Sequence, residues 1–401
     1  MLSYLLILVK LSVTFVLTPI LVRSLGIEGY GLYTLVGALA AYLYILDFGM
    51  NDAVLRFFVI HENNTDERDE FLAKILSVYC VLGGSVLGVA FGISTVIDPI
   101  FGTSVTTEQV AMLRNMIMIA GVGAGVLVAL NPVGALLSAT ESFVFLRATE
   151  IAITIFATLV MVAALLVGGN AVHMVMVTTA FSVLQGLLRL GYAIYFLRAR
   201  VRLSFPELSL LLKVWRYATP IFVAMIAETL FWRLGAILIG VMLGAAAVAV
   251  YSVGVTFNKY FMNFATALSR VMTPELIRKV DQGADAEALL EVMIRVSRLQ
   301  SMFLLPVLGL LVVFGQRFLA LWLGPEFGHS YWIMLAVLGP YTLELTGNVR
   351  NVVLQVKGLY WQKSRITLAT AVLNIILTVV LIQIWGIRGG AVSTGIAVTT
   401  G

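Results

Sequence analysis

Apolar residues along this chain fall in long unbroken runs, not in the alternating or one-sided patterns of a water-soluble fold. Runs of spanning length recur at about 3–22, 30–60, 71–97, 109–137, 148–167, 172–197, 217–241, 247–272, 293–314, 331–354 and 366–385. A twelfth opens at Gly390 and stops with the chain. Crossing the hydrocarbon core of a bilayer takes roughly 20 apolar residues in an α-helix. A transmembrane barrel would instead show segments of about ten residues with alternating character. Each run therefore predicts a spanning helix, because only helices satisfy their own backbone polar groups within one segment of lipid. The links are short, and none is long enough to fold on its own. The expected fold is an all-α membrane protein of twelve transmembrane helices, the last one truncated.

Composition agrees with the pattern. Apolar residues make up 60% of the chain, charged residues only 12%, and the mean hydropathy is +1.01. A soluble domain carries about twice that share of charge, so this chain could not cover its surface in water. The formal charge of +5 matters less than its placement. Outside the spans, Arg23, Arg114, Arg317 and Arg388 fall on one side, whereas Arg68, Lys74, Arg147, Arg198, Arg200, Arg202, Lys213, Arg216 and others fall on the opposite side. The basic side is expected in the cytoplasm together with the N-terminus. The first run has no basic segment before it and no small-residue cleavage site, so it reads as a span and not as a signal peptide. Lys213 and Arg216, set among Leu and Trp in 205–217, predict an amphipathic helix on the cytoplasmic membrane surface. Cys80 is the single cysteine, so there is no disulfide framework.

One offset, 218 residues, relates the two halves of the sequence. Leu25-Gly26 matches Leu243-Gly244, Tyr33 matches Tyr251, Arg147 matches Arg365, Thr149 matches Thr367, and Gly168 matches Gly386. The same offset superimposes the turns between spans. Two six-helix lobes in parallel orientation are expected, a plan typical of transporters. The predicted organisation is an N-terminal lobe over 1–197, an amphipathic linker over 198–216 and a C-terminal lobe over 217–401. The counterpart of the sixth span would run past the last residue, which suggests truncation at one or both ends.

Against this apolar background the ionisable residues within spans stand out, since each costs roughly 2.5–3.5 kcal/mol on insertion scales. The cations are Lys10, Arg56, Arg189, Arg233, Lys259 and Arg350, and the acids are Asp47, Asp52, Glu228 and Glu344. Helical phase groups several of them with neutral polar residues: Thr178, Ser182, Gln185 and Arg189 in span six; Lys259, Asn263, Thr266 and Arg270 in span eight; Tyr341, Glu344, Asn348 and Asn351 in span ten. Four such stripes, with Lys10, Thr14 and Thr18 in span one, predict a shared watery cavity. The plainer reading is that these groups pair with one another and specify packing. Asp52 and Arg56, at i and i+4, are placed for such a pair. The six cations are the candidate substrate-binding residues, because Arg forks phosphate oxygens and Lys offers a point charge. Asp47, Glu228 and Glu344 are candidates for ion coupling. Gly84, Gly88 and Gly92, and likewise Gly121 and Gly125, have the spacing of close-packed helix pairs. His61, His173 and His329 are far apart, and neither a nucleotide loop, a metal-ligand cluster nor a catalytic triad is present. No cofactor, metal, catalytic residue or nucleic-acid partner is therefore expected.

The run Leu25-Gly26-Ile27-Glu28-Gly29-Tyr30-Gly31-Leu32-Tyr33, followed by Leu46-Asp47-Phe48-Gly49 and Arg56, resembles the N-terminal region of the O-antigen and exopolysaccharide flippases of the multidrug/oligosaccharidyl-lipid/polysaccharide superfamily. Tyr217-Ala218-Thr219-Pro220, Thr273-Pro274 and Gly386-Ile387-Arg388-Gly389-Gly390-Ala391 extend the resemblance to the whole chain. It implies two lobes about a central cavity in the bacterial inner membrane. The implied substrate is an oligosaccharide on undecaprenyl diphosphate, moved to the periplasmic leaflet by ion-coupled alternating access. Membrane lipids, a polysaccharide polymerase and other assembly proteins are the implied partners. Where many relatives carry an acid in span seven, this chain has Arg233, so a coupling rule built on that acid does not carry over. A multidrug exporter of the same superfamily is the alternative, but its cationic cargo calls for acids, and cations outnumber them here. A membrane polymerase or ligase would need larger external loops than 96–108 and 315–330.

Overall fold

The computed structural model of the chain describes residues 2–60, 64–282, 286–347 and 360–400. Among them every regular element is helical. In order these are α1 (Leu2–Leu43), a 3-10 turn (Tyr44–Asp47), α2 (Met50–Ile60), α3 (Thr65–Phe101), α4 (Thr107–Ala139), α5 (Phe143–Leu166) and α6 (Ala171–Tyr195). There follow α7 (Leu208–Leu243), α8 (Ala245–Asp281), α9 (Ala286–Leu323), a second 3-10 turn (Pro325–Phe327), α10 (Gly328–Thr346), α11 (Tyr360–Trp385) and α12 (Ile387–Thr400). Eight of these helical stretches are long and apolar enough to cross a membrane. The first of them, Leu2–Asp47, holds the first predicted run and the opening part of the second, kinked at Gly26. The chain is thus an all-α, multi-pass membrane protein. Several helices outrun their apolar cores: α3 starts at Thr65, where the Asn64 side chain accepts from the Asp66 and Glu67 N–H groups.

The structure departs from the sequence pattern at three places. Span two, expected as one helix over 30–60, is interrupted by the 3-10 turn and by two left-handed residues, Phe48 (φ 53) and Gly49 (φ 65). The amphipathic helix expected over 205–217 does not begin until Leu208 and then runs on into span seven; 198–207 has no regular secondary structure. The third departure concerns glycine register. Gly84, Gly88 and Gly92 are exposed, with nothing within 4 Å of a Cβ added at any of them. The glycine that packs is Gly83, whose Cβ would lie 2.5 Å from the Gly125 carbonyl oxygen on α4. Gly83 shares its helix face with buried Tyr79, Val86 and Ala90; Gly84 is one residue, about 100°, off that face.

The chain divides into two compact units, Met1–Met225 and Ile226–Gly401. In the first, α3 and α4 cross closely at Gly83, Gly121 and Gly125, and Gly123 faces Thr179 of α6. A core runs from Leu43 through Met50, Phe58, Ile75, Tyr79 and Val128 to Val214. In the second, α8 meets α10 at Gly254 against Ile333, and the Ser330 hydroxyl donates to the Val250 carbonyl at 2.7 Å. Gly395 of α12 sits against the Ala336 carbonyl of α10. The offset seen in the sequence recurs in the backbone: Gly26 (φ 71) pairs with Gly244 (φ 86), and Gly168 (φ 86) with Gly386 (φ 57). Positive φ is where glycine is favoured, so each unit turns its chain with the same residue at the same place.

Candidate functional site

In the first unit, three cations from three helices surround one acid. Lys10 of α1 reaches Glu150 of α5, Nζ to Oε1, at 2.5 Å, and Arg147 donates to the other oxygen at 3.1 Å. Arg189 of α6 lies within electrostatic reach of both Glu150 and Arg147. Gly134 of α4 lies beside it: a Cβ there would stand 3.6 Å from Nη1, an ordinary contact. Arg189 Nε and Gln185 Nε2, one helical turn apart, are buried with no hydrogen-bond partner among the described residues. The structure therefore brings together two of the sequence candidates, Lys10 and Arg189, and adds two residues the sequence reading had not placed in the site. Arg147 had been counted with the cytoplasmic face, and Glu150 sits at the rim of its apolar run. The Arg-x-x-Glu spacing of 147 and 150 is the signal that could have found them.

Asp47 stands at the interruption of span two. It is buried at 7% exposure and accepts from Asn131 Nδ2 at 3.2 Å and from the Asn51 N–H at 3.4 Å. Among the described residues no cation pairs with it. Gly49, two residues on, lies against α7: an added Cβ would be 3.0 Å from Phe222 N and 3.1 Å from Ile221 Cγ2. The Phe48 ring packs on Trp215 and Phe222 with centroids 5.6 and 5.0 Å apart. Arg56 is not ion-paired to Asp52 among the described residues. Its guanidinium lies 4.8 Å above the ring of Tyr217, a cation–π arrangement.

In the second unit, Lys259 of α8 is accessible, and Arg233 of α7 is near enough for the two charges to repel. Glu228 of α7 and Glu344 of α10 both act electrostatically on Tyr341, whose ring meets Trp232 edge-on at 4.9 Å. Arg350, with Asn348 and Asn351 of the predicted stripe, lies outside the described residues, as does the Arg270 side chain. A further polar group escaped the sequence reading because it carries no charge. Asn374 donates to the Phe231 carbonyl at 3.2 Å, and Thr378 joins Asn374 to Ser393 at 3.3 and 2.7 Å, all buried. No three His, Cys, Asp or Glu side chains among the described residues converge closely enough to hold a metal ion.

The sequence profile of a family described as polysaccharide biosynthesis protein matches residues 2–278. A Shigella flexneri protein named for O-antigen transport is 40% identical over 57 residues, a stretch that is 14% of this chain and 14% of that protein. Two solved structures resemble the whole chain. One is a lipid II flippase, MurJ, in an inward closed conformation, with a TM-score of 0.77 and 12% identity over 98% of this chain and 85% of that one. The other is an inward-facing multidrug resistance transporter of the MATE family, in the MOP superfamily, with a TM-score of 0.74 and 17% identity over 98% and 94%. At such identities the likeness shows the fold, a two-lobed transporter fold.

Proposed function

Because the chain belongs to the polysaccharide biosynthesis protein family, we propose that it moves an oligosaccharide linked to undecaprenyl diphosphate across the bacterial inner membrane, from the cytoplasmic to the periplasmic leaflet. Translocation proceeds by ion-coupled alternating access, with Asp47, Glu228 and Glu344 as the coupling candidates and the N-terminus in the cytoplasm. The observation that carries this reading is the cluster of Lys10, Arg147 and Arg189 about the single carboxylate of Glu150. Three cations and one acid leave a surplus of two positive charges within the spanning region. Such a surplus is costly in lipid unless a counter-charge or water meets it. A diphosphate linker carries one negative charge on each phosphoryl group, which matches the surplus, and Arg engages such oxygens with paired donors. A multidrug exporter would share the fold, but a cationic drug would be repelled by this cluster.

The test is translocation in proteoliposomes of a fluorescent sugar lipid carried on undecaprenyl diphosphate, followed by accessibility of the fluorophore to an impermeant quencher. The wild-type protein should expose this lipid on the opposite leaflet, and a Lys10→Gln/Arg189→Gln protein of normal abundance should not. Efflux of a cationic dye with no movement of the sugar lipid would establish the exporter instead.

A further inference from the structure

Glu150 is an unusual companion for a site that takes an anion, because it occupies the groups the anion needs. Both of its oxygens are engaged, one by Lys10 and one by Arg147. Its own side chain is 20% exposed, whereas those of Lys10 and Arg147 remain 51% and 41% exposed. The acid thus sits behind cations that keep an open side. On α6, Arg189 lies within electrostatic reach of Glu150 and its Nε is a buried donor with no acceptor among the described residues, as is Gln185 Nε2 one helical turn away. Donor capacity that the protein leaves unfilled next to a positive surplus describes a seat for an anion larger than a carboxylate.

We propose that Glu150 is a resident counter-ion, displaced from Lys10 and Arg147 by the anionic head group of the substrate, and that this competition sets how tightly the head group is held. The proposal rests on the flippase reading above and deepens it. In the empty carrier, Glu150 lowers the cost of keeping three cations in a span. In the loaded carrier, the phosphoryl oxygens take over Lys10 and Arg147 from their open side, and Arg189 Nε with Gln185 Nε2 gain the acceptors they lack. On release, Glu150 swings back to the same cations and offsets the loss of the substrate's charges. A carrier has to bind firmly enough to load and weakly enough to unload. An internal competitor brings the two ends of the cycle closer in free energy than three bare cations would.

The experiment measures binding of farnesyl diphosphate, a short isoprenyl diphosphate, to the full-length protein in nanodiscs, with farnesol as the uncharged control. Glu150→Gln should tighten farnesyl diphosphate binding by about tenfold, since the competitor is gone while its volume stays. Glu150→Asp keeps the charge but is one methylene shorter and cannot reach both cations, so it should tighten binding by less. Arg189→Gln should weaken binding in both the wild-type and the Glu150→Gln backgrounds. Farnesol should be indifferent to all of them. Unchanged or weaker binding by a folded Glu150→Gln protein, with Arg189→Gln still weakening it, would overturn the counter-ion role and leave the anion site standing. Indifference to both Lys10→Gln and Arg189→Gln would remove the anion site itself. Should Glu150→Gln aggregate, Glu150→Asp decides the matter: binding no tighter than wild type would refute the competition.

Discussion

Gly49 can be replaced by alanine with a calculable result, because a second glycine serves as its internal control. Both Gly49 (φ 65) and Gly26 (φ 71, ψ 173) have the positive φ that favours glycine. At Gly26 an added Cβ meets nothing within 4 Å, whereas at Gly49 it would stand 3.0 Å from Phe222 N and 3.1 Å from Ile221 Cγ2. An L-residue held at such sparsely populated backbone angles costs roughly 1–3 kcal/mol, and for Gly26→Ala the cost ends there. Gly49→Ala adds overpacking against the backbone of α7, typically about 1–3 kcal/mol. The total for Gly49→Ala is therefore about 2–6 kcal/mol. It also pushes α7, with its Trp215 and Phe222 rings, away from the Phe48 ring. Survival of the monodisperse protein over a heating series in detergent is the suitable assay, since unfolding of such proteins is commonly irreversible. Both variants should lose midpoint temperature, with Gly49→Ala losing clearly more. Equal losses would mean that α7 does not hold the interruption of span two, and the packing argument would fail.

Two other expectations follow from exposed and accessible positions. Lys259 has no ion pair among the described residues and remains accessible, so Lys259→Ala should abolish export of repeat units at near-normal membrane abundance, while Lys259→Arg keeps part of it; full export by a well-expressed Lys259→Ala protein would exclude a substrate role. For topology, Phe205→Cys (95% exposed) and Glu326→Cys (exposed), each in a Cys80→Ser background, should differ in labelling by an impermeant thiol reagent in cells with a permeabilised outer membrane. Only position 326 should react; equal labelling would refute the proposed orientation.

What the sequence revealed and what it hid divide along a physical line. Spanning helices were legible because the bilayer demands long apolar runs, and turns were legible where only glycine adopts the backbone, as at Gly26, Gly168, Gly244 and Gly386. Side-chain partners were legible only when local. Arg56 has an acid four residues away, yet it finds Tyr217, brought to it by the fold. Lys10 looked unpaired within its own helix, yet Glu150 on α5 meets it. The interruption of span two was visible only as Leu46-Asp47-Phe48-Gly49, a motif whose apolar residues keep the run hydrophobic while its backbone leaves the helix. The Asn374, Thr378 and Ser393 network was missed because a search for charge passes over neutral donors and acceptors.

The two halves have kept their turns and parted in their chemistry. At the 218-residue offset the glycines agree in residue and in the sign of φ. The charged cluster does not: Lys10 corresponds to Glu228 and Glu150 to Leu368, while Arg147 corresponds to Arg365. Asp47 corresponds to Ala265, and α8 runs unbroken from Ala245 to Asp281 through the stretch equivalent to the interruption in span two. A backbone turn is required by folding in both halves, so an exchange of Gly26 or Gly244 is penalised whatever the cargo. An ion cluster in a span is costly to folding and is kept only where it serves a ligand or a conformational step. Lys10, Glu150 and Asp47 have no residue of like charge at the equivalent positions of the second unit, so the cost of these intramembrane charges has no architectural reason behind it. That asymmetry is the argument for reading the cluster as a site, and it is why the Glu150 and Arg189 variants should alter ligand binding before they alter the fold.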